Sequence, residues 1–284
     1  MRGLGRRVPT ALAYGAIVLA ALVLPSPAFP ILVATLAALA YRELAGLYAG
    51  RPGAPAKWLG TILVVALAIS HLVTGVWSSF ALQLSVALVA AVALTLAAGY
   101  AVVRWIVPAA GPVLGSIAFT SLGAIYLGWL FGFLVDLWIA GSAFTAMPWE
   151  LHAWLLLALV PTWAADIGSY AVGSAIGRRK LAPRLSPGKT WEGTIAGFVA
   201  AALAVAALGA LTGLPPVALV IAAVAIGPAA LAGDLLGSAL KRRVGAKDSG
   251  ELLPGHGGVL DRIDSLVTVA PVVTIALYAA AGLG

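Results

Sequence analysis

Between positions 233 and 265 an otherwise apolar chain gathers five acids (Asp234, Asp248, Glu251, Asp261, Asp264), five bases (Lys241, Arg242, Arg243, Lys247, Arg262) and His256. On a helix, Ser238 and Lys241 follow Asp234 at i+4 and i+7, so a carboxylate, a hydroxyl and an ammonium leave one face together. Asp261 and Asp264 stand at i and i+3 where the last apolar run begins, again on one face. Carboxylates are hard oxygen donors that suit Mg2+, the usual ion where phosphates react. Each group also has a plainer reading. Lys241 could simply snorkel to water from a helix end, and the two acids could complement the positive end of a helix.

The segment joining these helices adds anion chemistry. Gly255, Gly257 and Gly258 permit backbone conformations in which N–H groups converge on an anion. Lys241, Arg242, Arg243 and Lys247 supply charge for several phosphates. Asp248 and Glu251 could pair with these bases or touch substrate. His256 has no second His or Cys at zinc spacing, which does not fit a zinc site. Upstream, SPGKTWEG at 186–193 offers Lys189, the hydroxyls of Ser186 and Thr190, and Glu192. Its Gly-Lys-Thr imitates the end of a phosphate-binding P-loop, but that motif needs a glycine where Pro183 stands.

The holder of these groups is read from composition. The 284 residues are 62% hydrophobic and 10% charged, against roughly 25% charged in soluble proteins. Nine apolar runs of membrane-spanning length are expected, at 8–24, 28–47, 58–76, 80–103, 113–137, 151–176, 193–211, 217–237 and 265–283. Backbone groups in lipid must be satisfied within their own segment, so the runs read as helices and the fold as all-α and polytopic. The first run also has the outline of a secretory signal peptide, which leaves cleavage as an alternative. With the N terminus in the cytoplasm and the runs alternating, all 17 Lys and Arg residues fall on the cytoplasmic side, as the positive-inside rule requires. The 178–192 loop and the 233–265 stretch then share that side. The same clustering explains the net charge of +7 without nucleic acid, since no basic stripe with interleaved aromatics is present. No cysteine is present, so disulfides and thiolate metal sites are excluded.

Two further acids lie inside apolar runs. Asp136 falls near the expected outer end of its helix, where a solvated role is expected. Asp166 precedes Arg178 by twelve positions, about 18 Å of helical rise, well inside the membrane, where an ionisable residue is a functional candidate. Ser169, Tyr170, Gly173 and Gly177 share its face, suiting a polar cavity or close packing through the glycines. Arg42 and Glu43 read as a charged pair at a cytoplasmic helix end.

The run S-x-L-K-R-x-x-x-x-K-D-x-x-x-x-L-P-G-H-G-G-x-x-D-R-x-D from Ser238 to Asp264 resembles the signature of the phosphatidate cytidylyltransferases, or CDP-diacylglycerol synthases. W-x-x-D-x-x-x-Y from Trp163, S-P-x-K-T-W-E-G from Ser186 and G-D-L from Gly233 are similar to that family too. The resemblance covers about 161–265. It implies a multi-pass enzyme of the plasma (inner) membrane that joins CTP to phosphatidic acid with Mg2+, giving CDP-diacylglycerol and pyrophosphate. By matching positions it implies metal binding at Asp234, Asp261 and Asp264, with Asp166 supporting a second cation or the polar cavity. Lys241 and Ser238 would act at the reacting phosphates, while Lys189, Ser186, Thr190, Arg242, Lys247, Asp248, His256, Gly257 and Arg262 would hold substrate. The organisation expected is N-terminal helices at 1–111 and a catalytic region at 112–284, with a homodimer left open.

Two other classes share parts of this pattern. A transporter also carries intramembrane acids, but usually near the midplane of paired broken helices, whereas these charges crowd one face. A CDP-alcohol phosphatidyltransferase would need a D-G-x-x-A-R element, which is absent.

Overall fold

The computed structural model describes residues 27–74, 111–143, 152–253 and 257–282, with isolated positions between 16 and 21. The described chain is mostly helical. Its helices are α1 (Ala28–Leu47), α2 (Lys57–Thr74), α3 (Gly111–Ala124), α4 (Phe131–Ala143), α5 (Ala153–Ile176), α6 (Trp191–Thr212), α7 (Pro216–Arg243) and α8 (Leu260–Gly282). A π-helical turn, Ile125–Leu130, joins α3 to α4. Among the described residues six helical spans are long and apolar enough to cross a membrane, α3 through α4 counting as one, and α2 is a shorter apolar helix. Outward stripes at Ile195, Val199 and Leu203 on α6 and at Val217, Val220 and Val224 on α7 are apolar and exposed, a surface that suits lipid. The protein is a multi-pass membrane protein. The expected run at 80–103 lies outside the described residues, as does most of 8–24.

The chain forms two compact units, Met1–Val135 with Asp248–Leu260, and Asp136–Lys247 with Asp261–Gly284. In the first, α1 buries Val33, Ala37, Ala40, Tyr41 and Leu44. Gly60 on α2 leaves the space that the Tyr41 ring fills, and Gly123 on α3 lies against the same ring. Tyr41 Oη donates to Ala56 O at 3.2 Å, and Ala56 N donates to Thr120 Oγ1 at 2.7 Å. The π turn lies close to α2 because Gly128 has no side chain; a Cβ there would stand 2.7 Å from Val64 O. Buried His71 donates from Nε2 to Trp129 O in that turn at 3.1 Å, supplying a partner where the helical ladder is locally altered.

The second unit is built on glycine contacts. A Cβ at Gly193 on α6 would come within 2.7 Å of Ser169 O and 2.9 Å of Gly173 Cα, so α5 and α6 approach at backbone distance. Small residues make such approach possible in a membrane, where packing rather than water exclusion drives association. Gly227 of α7 lies against Phe198 of α6, and Gly233 and Gly237 of α7 lie against Asp264 of α8. Thr268 Oγ1 donates to Ala229 O at 2.7 Å, tying α8 to α7 beside these glycines.

Three features differ from expectation. The 178–192 loop contains an antiparallel hairpin, β1 (Lys180–Ala182) with β2 (Ser186–Thr190), paired at Lys180↔Thr190 and Ala182↔Ser186. Helix α7 runs past the apolar run at Gly237 to Arg243, and α8 begins at Leu260 rather than at the run's start, 265, so Lys241 and Asp261 stand on helices as their spacing supposes. Polarity ended the apolar runs there but not the helices, because Lys241, Arg242 and Arg243 suit a last turn and Asp261 a first turn. Asp136 is buried, at 4% exposure, not solvated. Its helix continues to Ala143, so it does not stand at an end, and within the second unit it lies in electrostatic range of Tyr278.

Candidate active site

Three elements of the second unit bring the sequence-predicted charges together. Helix α7 presents Asp234, Ser238 and Lys241 at the expected spacing, and Ser238 Oγ donates to Asp234 Oδ1 at 3.3 Å. From β2, Lys189 Nζ reaches Asp234 Oδ2 at 2.6 Å. From α8, Asp261 Oδ1 accepts from Lys241 Nζ. Both carboxylates thus have ammonium partners, but the surroundings differ. The Lys241–Asp261 side chains are only 9% and 8% exposed, whereas those of Lys189–Asp234 are 22% and 31% exposed. The first pair is a desolvated structural joint; the second is open to incoming groups.

Asp264 lies one helical turn beyond Asp261. It is buried, its Oδ1 accepts from Ser265 N at 2.8 Å, and a Cβ at Gly237 would stand 3.0 Å from its Oδ2. Asp234, Lys241 and Asp261 lie within its electrostatic range. Asp166 on α5 senses Asp234, Lys189 and Arg262. The face expected to carry Asp166, Ser169, Tyr170, Gly173 and Gly177 divides in two. Gly173 and Gly177 pack against Thr190, while Asp166 and Tyr170 are exposed.

The hairpin places Lys189 through its own bonds. Buried Thr190 caps α6: its Oγ1 accepts from Gly193 N at 3.2 Å, and its carbonyl accepts from Thr194 Oγ1 at 2.9 Å. Glu192 accepts from the backbone N–H of Arg178 at 3.2 Å and of Arg179 at 3.3 Å. At the hairpin turn, Leu185 O accepts from Arg242 Nε at 3.2 Å, while Arg242 Nη1 donates to Ala246 O at 3.0 Å. Thr190 and Arg242 therefore serve the architecture around Lys189. Ser186 is partly buried, and Lys247 and Arg262 are exposed.

In the first unit, Asp248 is exposed, and Gly257 has φ +80° and accepts from Leu253 N at 3.0 Å. His256 and Gly255 lie outside the described residues. Glu43 differs from the expected pairing with Arg42. The Arg42 guanidinium lies 5.0 Å from the Trp58 ring centre, and Glu43 turns to the 248–260 segment, accepting from Ser249 Oγ at 2.8 Å, Val259 N at 2.9 Å and Leu260 N at 3.0 Å. Neighbouring positions on a helix do not face one another, and that rule already separates Arg42 from Glu43.

Among the described residues no three His, Cys, Asp or Glu groups converge as a metal cage. Asp234 of α7 and Asp264 of α8 lie within electrostatic range of each other, on helices that meet at Gly233 and Gly237. Such carboxylates fit the way Mg2+ is commonly held, by one or two carboxylates together with waters and substrate phosphates.

Comparison with known proteins gives the family. The model of the Cytidylyltransferase family matches residues 5–280. The chain belongs to that family. It is 46% identical over 136 residues to a phosphatidate cytidylyltransferase of Pseudomonas aeruginosa, a match covering 46% of this chain and 50% of that protein. It is 37% identical over 158 residues to the phosphatidate cytidylyltransferase of Bacillus subtilis, covering 55% and 56%. Against that of Brucella suis it is 52% identical over 114 residues, covering 38% and 40%. The chain spans about half the length of the curated relatives it matches.

Proposed function

We propose that this member of the Cytidylyltransferase family is a phosphatidate cytidylyltransferase of the inner membrane. A phosphate oxygen of phosphatidic acid attacks the α-phosphorus of CTP, a new P–O bond forms, and the bond to the β-phosphate breaks. Pyrophosphate leaves with the electron pair, and CDP-diacylglycerol remains in the bilayer. The nucleophile is a phosphomonoester whose second pKa is about 6, so it is largely ionised near neutrality and needs no strong general base. The chemical demand is to hold two mutually repelling anions in line and to neutralise the charge of the transition state.

The observation that carries this reading is the pair of ammonium–carboxylate contacts, Lys189–Asp234 and Lys241–Asp261, on three elements of one unit. Lys189, the more exposed cation, is assigned to the nucleotide phosphates, and Ser238 to a phosphate oxygen beside Asp234. Lys241 holds Asp261 in place and adds positive charge beside it. Asp234 and Asp261 would hold Mg2+, with Asp264 and Asp166 as further donors toward a second cation; the ion supplies charge neutralisation of the triphosphate. Lys247 and Arg262, both exposed in this unit, are assigned to the anionic substrates; the same role for Asp248, His256 and Gly257 rests on the resemblance alone. Nine spans, a cytoplasmic N terminus and a cytoplasmic site complete the proposal, placing the reaction where CTP is available.

The test is purified protein in lipid nanodiscs with phosphatidic acid, Mg2+ and each of the four ribonucleoside triphosphates, with nucleotide-lipid and pyrophosphate both quantified. CTP alone should give both products in equal amounts. Nucleotide hydrolysis without nucleotide-lipid, or consumption of added CDP-diacylglycerol with an alcohol, would remove the proposal.

A further inference from the structure

Helix α8 has an unusual beginning. Its first residues, Leu260 and the preceding Val259, carry N–H groups that have no partner inside the helix. A helix normally meets this need with a Ser, Thr, Asp or Asn immediately before it, and Val259 cannot do so. The partner comes from α1, 217 positions away: Glu43 Oε2 accepts from Leu260 N at 3.0 Å and Glu43 Oε1 from Val259 N at 2.9 Å. A carboxylate at the positive end of a helix is also favoured by the helix dipole.

The same carboxylate shapes the segment leading into α8. Ser249 Oγ donates to Glu43 Oε2 at 2.8 Å, and Ser249 is buried. A Cβ on Gly250 would stand 2.9 Å from Glu43 Oε1, and a Cβ on Gly258 would collide with both the Glu43 carboxylate and the Ser249 hydroxyl. The glycines here let the chain close round a carboxylate of the protein itself. Every contact in this cluster lies within the first compact unit.

We propose that Glu43 is a positioning residue for nucleotidyl transfer. By fixing Ser249, Val259 and Leu260 it sets the approach of residues 258–259 to the helix and the residue at which α8 starts. Asp261, the next residue, is the one that pairs with Lys241. The inference deepens the function proposed above and rests on it for the role of Asp261. Glu43 touches no substrate in this account. It acts through the first turn of α8.

Three variants in nanodiscs test it: Glu43→Ala, Glu43→Gln and Ser249→Ala, each with backbone hydrogen exchange and steady-state kinetics beside the wild type. Glu43→Ala should speed exchange in the 248–260 segment, including Val259 and Leu260, while α5, α6 and α7 keep wild-type protection. Its kcat should fall by about tenfold to a hundredfold, the usual cost of losing a partner that orients a site ligand, with the KM for CTP changed less than about threefold. Glu43→Gln, which keeps the shape but sets an N–H group against donors, should fall between Glu43→Ala and wild type. If Glu43→Ala fails to fold, Ser249→Ala carries the test, because it removes one donor and leaves α1 intact; it should reproduce the local exchange change with a smaller fall in kcat. Wild-type protection at Val259 and Leu260 in a folded Glu43 variant, or an unchanged kcat, overturns the inference. A wild type that makes no CDP-lipid sinks the proposed function instead, and the exchange data then judge the Glu43 contacts by themselves.

Discussion

Lys241 and Asp261 stand 20 residues apart in sequence and join α7 to α8 through an ion pair almost closed to solvent. Both belong to the signature between 233 and 265, yet only the structure makes them partners. Taking two charges out of water is costly unless each satisfies the other. The pair therefore imposes strong interdependence.

Lys241→Met, which takes the ammonium away from the largely desolvated Asp261 carboxylate, should destabilise the protein by about 3–5 kcal/mol. The double variant Lys241→Met with Asp261→Leu, which removes both charges, should recover most of that loss while remaining inactive. Thermal unfolding in detergent reads the first effect and product formation the second. Equal destabilisation by the single and double variants would show that the charge pair is not what joins the helices.

Asp234 predicts the opposite balance. Its partner Lys189 is partly solvated, and pairs of that kind contribute about 0–1 kcal/mol. Asp234→Asn should unfold within a few degrees of wild type while CDP-lipid formation falls by roughly a hundredfold or more, the scale of losing one electrostatic contact to a transition state. A large fall in the unfolding temperature with activity retained per folded molecule would reverse the assignment.

The contact between α5 and α6 should tolerate no added volume. At Gly193 a Cβ would approach Ser169 O and Gly173 Cα at 2.7 and 2.9 Å, both backbone atoms. Gly193→Ala should cost about 1–3 kcal/mol and, by displacing the helix that follows β2, raise the KM for CTP through Lys189. Gly188→Ala serves as the control, since a Cβ there meets nothing within 4 Å; it should be close to wild type in stability.

Chelation should separate fold from chemistry. Asp234 and Asp261 are neutralised by lysines of the protein itself, so removing Mg2+ should abolish CDP-lipid formation reversibly and leave the unfolding temperature nearly unchanged. Unfolding on chelation would mark the ion as structural.

Much of the site is written in local spacing. The i to i+4 relation of Asp234 and Ser238 appears in the structure as a hydrogen bond, and most of the expected apolar runs that fall on described residues are helices close to their expected bounds. What escaped was non-local or depended on contact. Asp261 and Lys241 meet across two helices, a relation that no period encodes. Asp136 looked solvated because hydropathy falls near it, whereas burial is decided by what packs round α4. Thr190 looked available because it follows a lysine in a polar stretch, yet it is buried as the cap of α6. Glu43 lay 217 positions from the helix it caps, and only its neighbour Arg42, unable to face it from the next position, pointed to a separate partner.

In the function proposed above, α7, α8 and the hairpin together hold the nucleotidyl-transfer site. That assignment is tested most directly by following the α-phosphorus label of CTP in nanodiscs containing phosphatidic acid and Mg2+, with wild type and folded Asp234→Asn measured side by side. The wild type should place label in CDP-diacylglycerol with one pyrophosphate released per lipid made, and the variant almost none. Label that stays in water-soluble nucleotide with the wild type, or moves into lipid equally well with the variant, would contradict it.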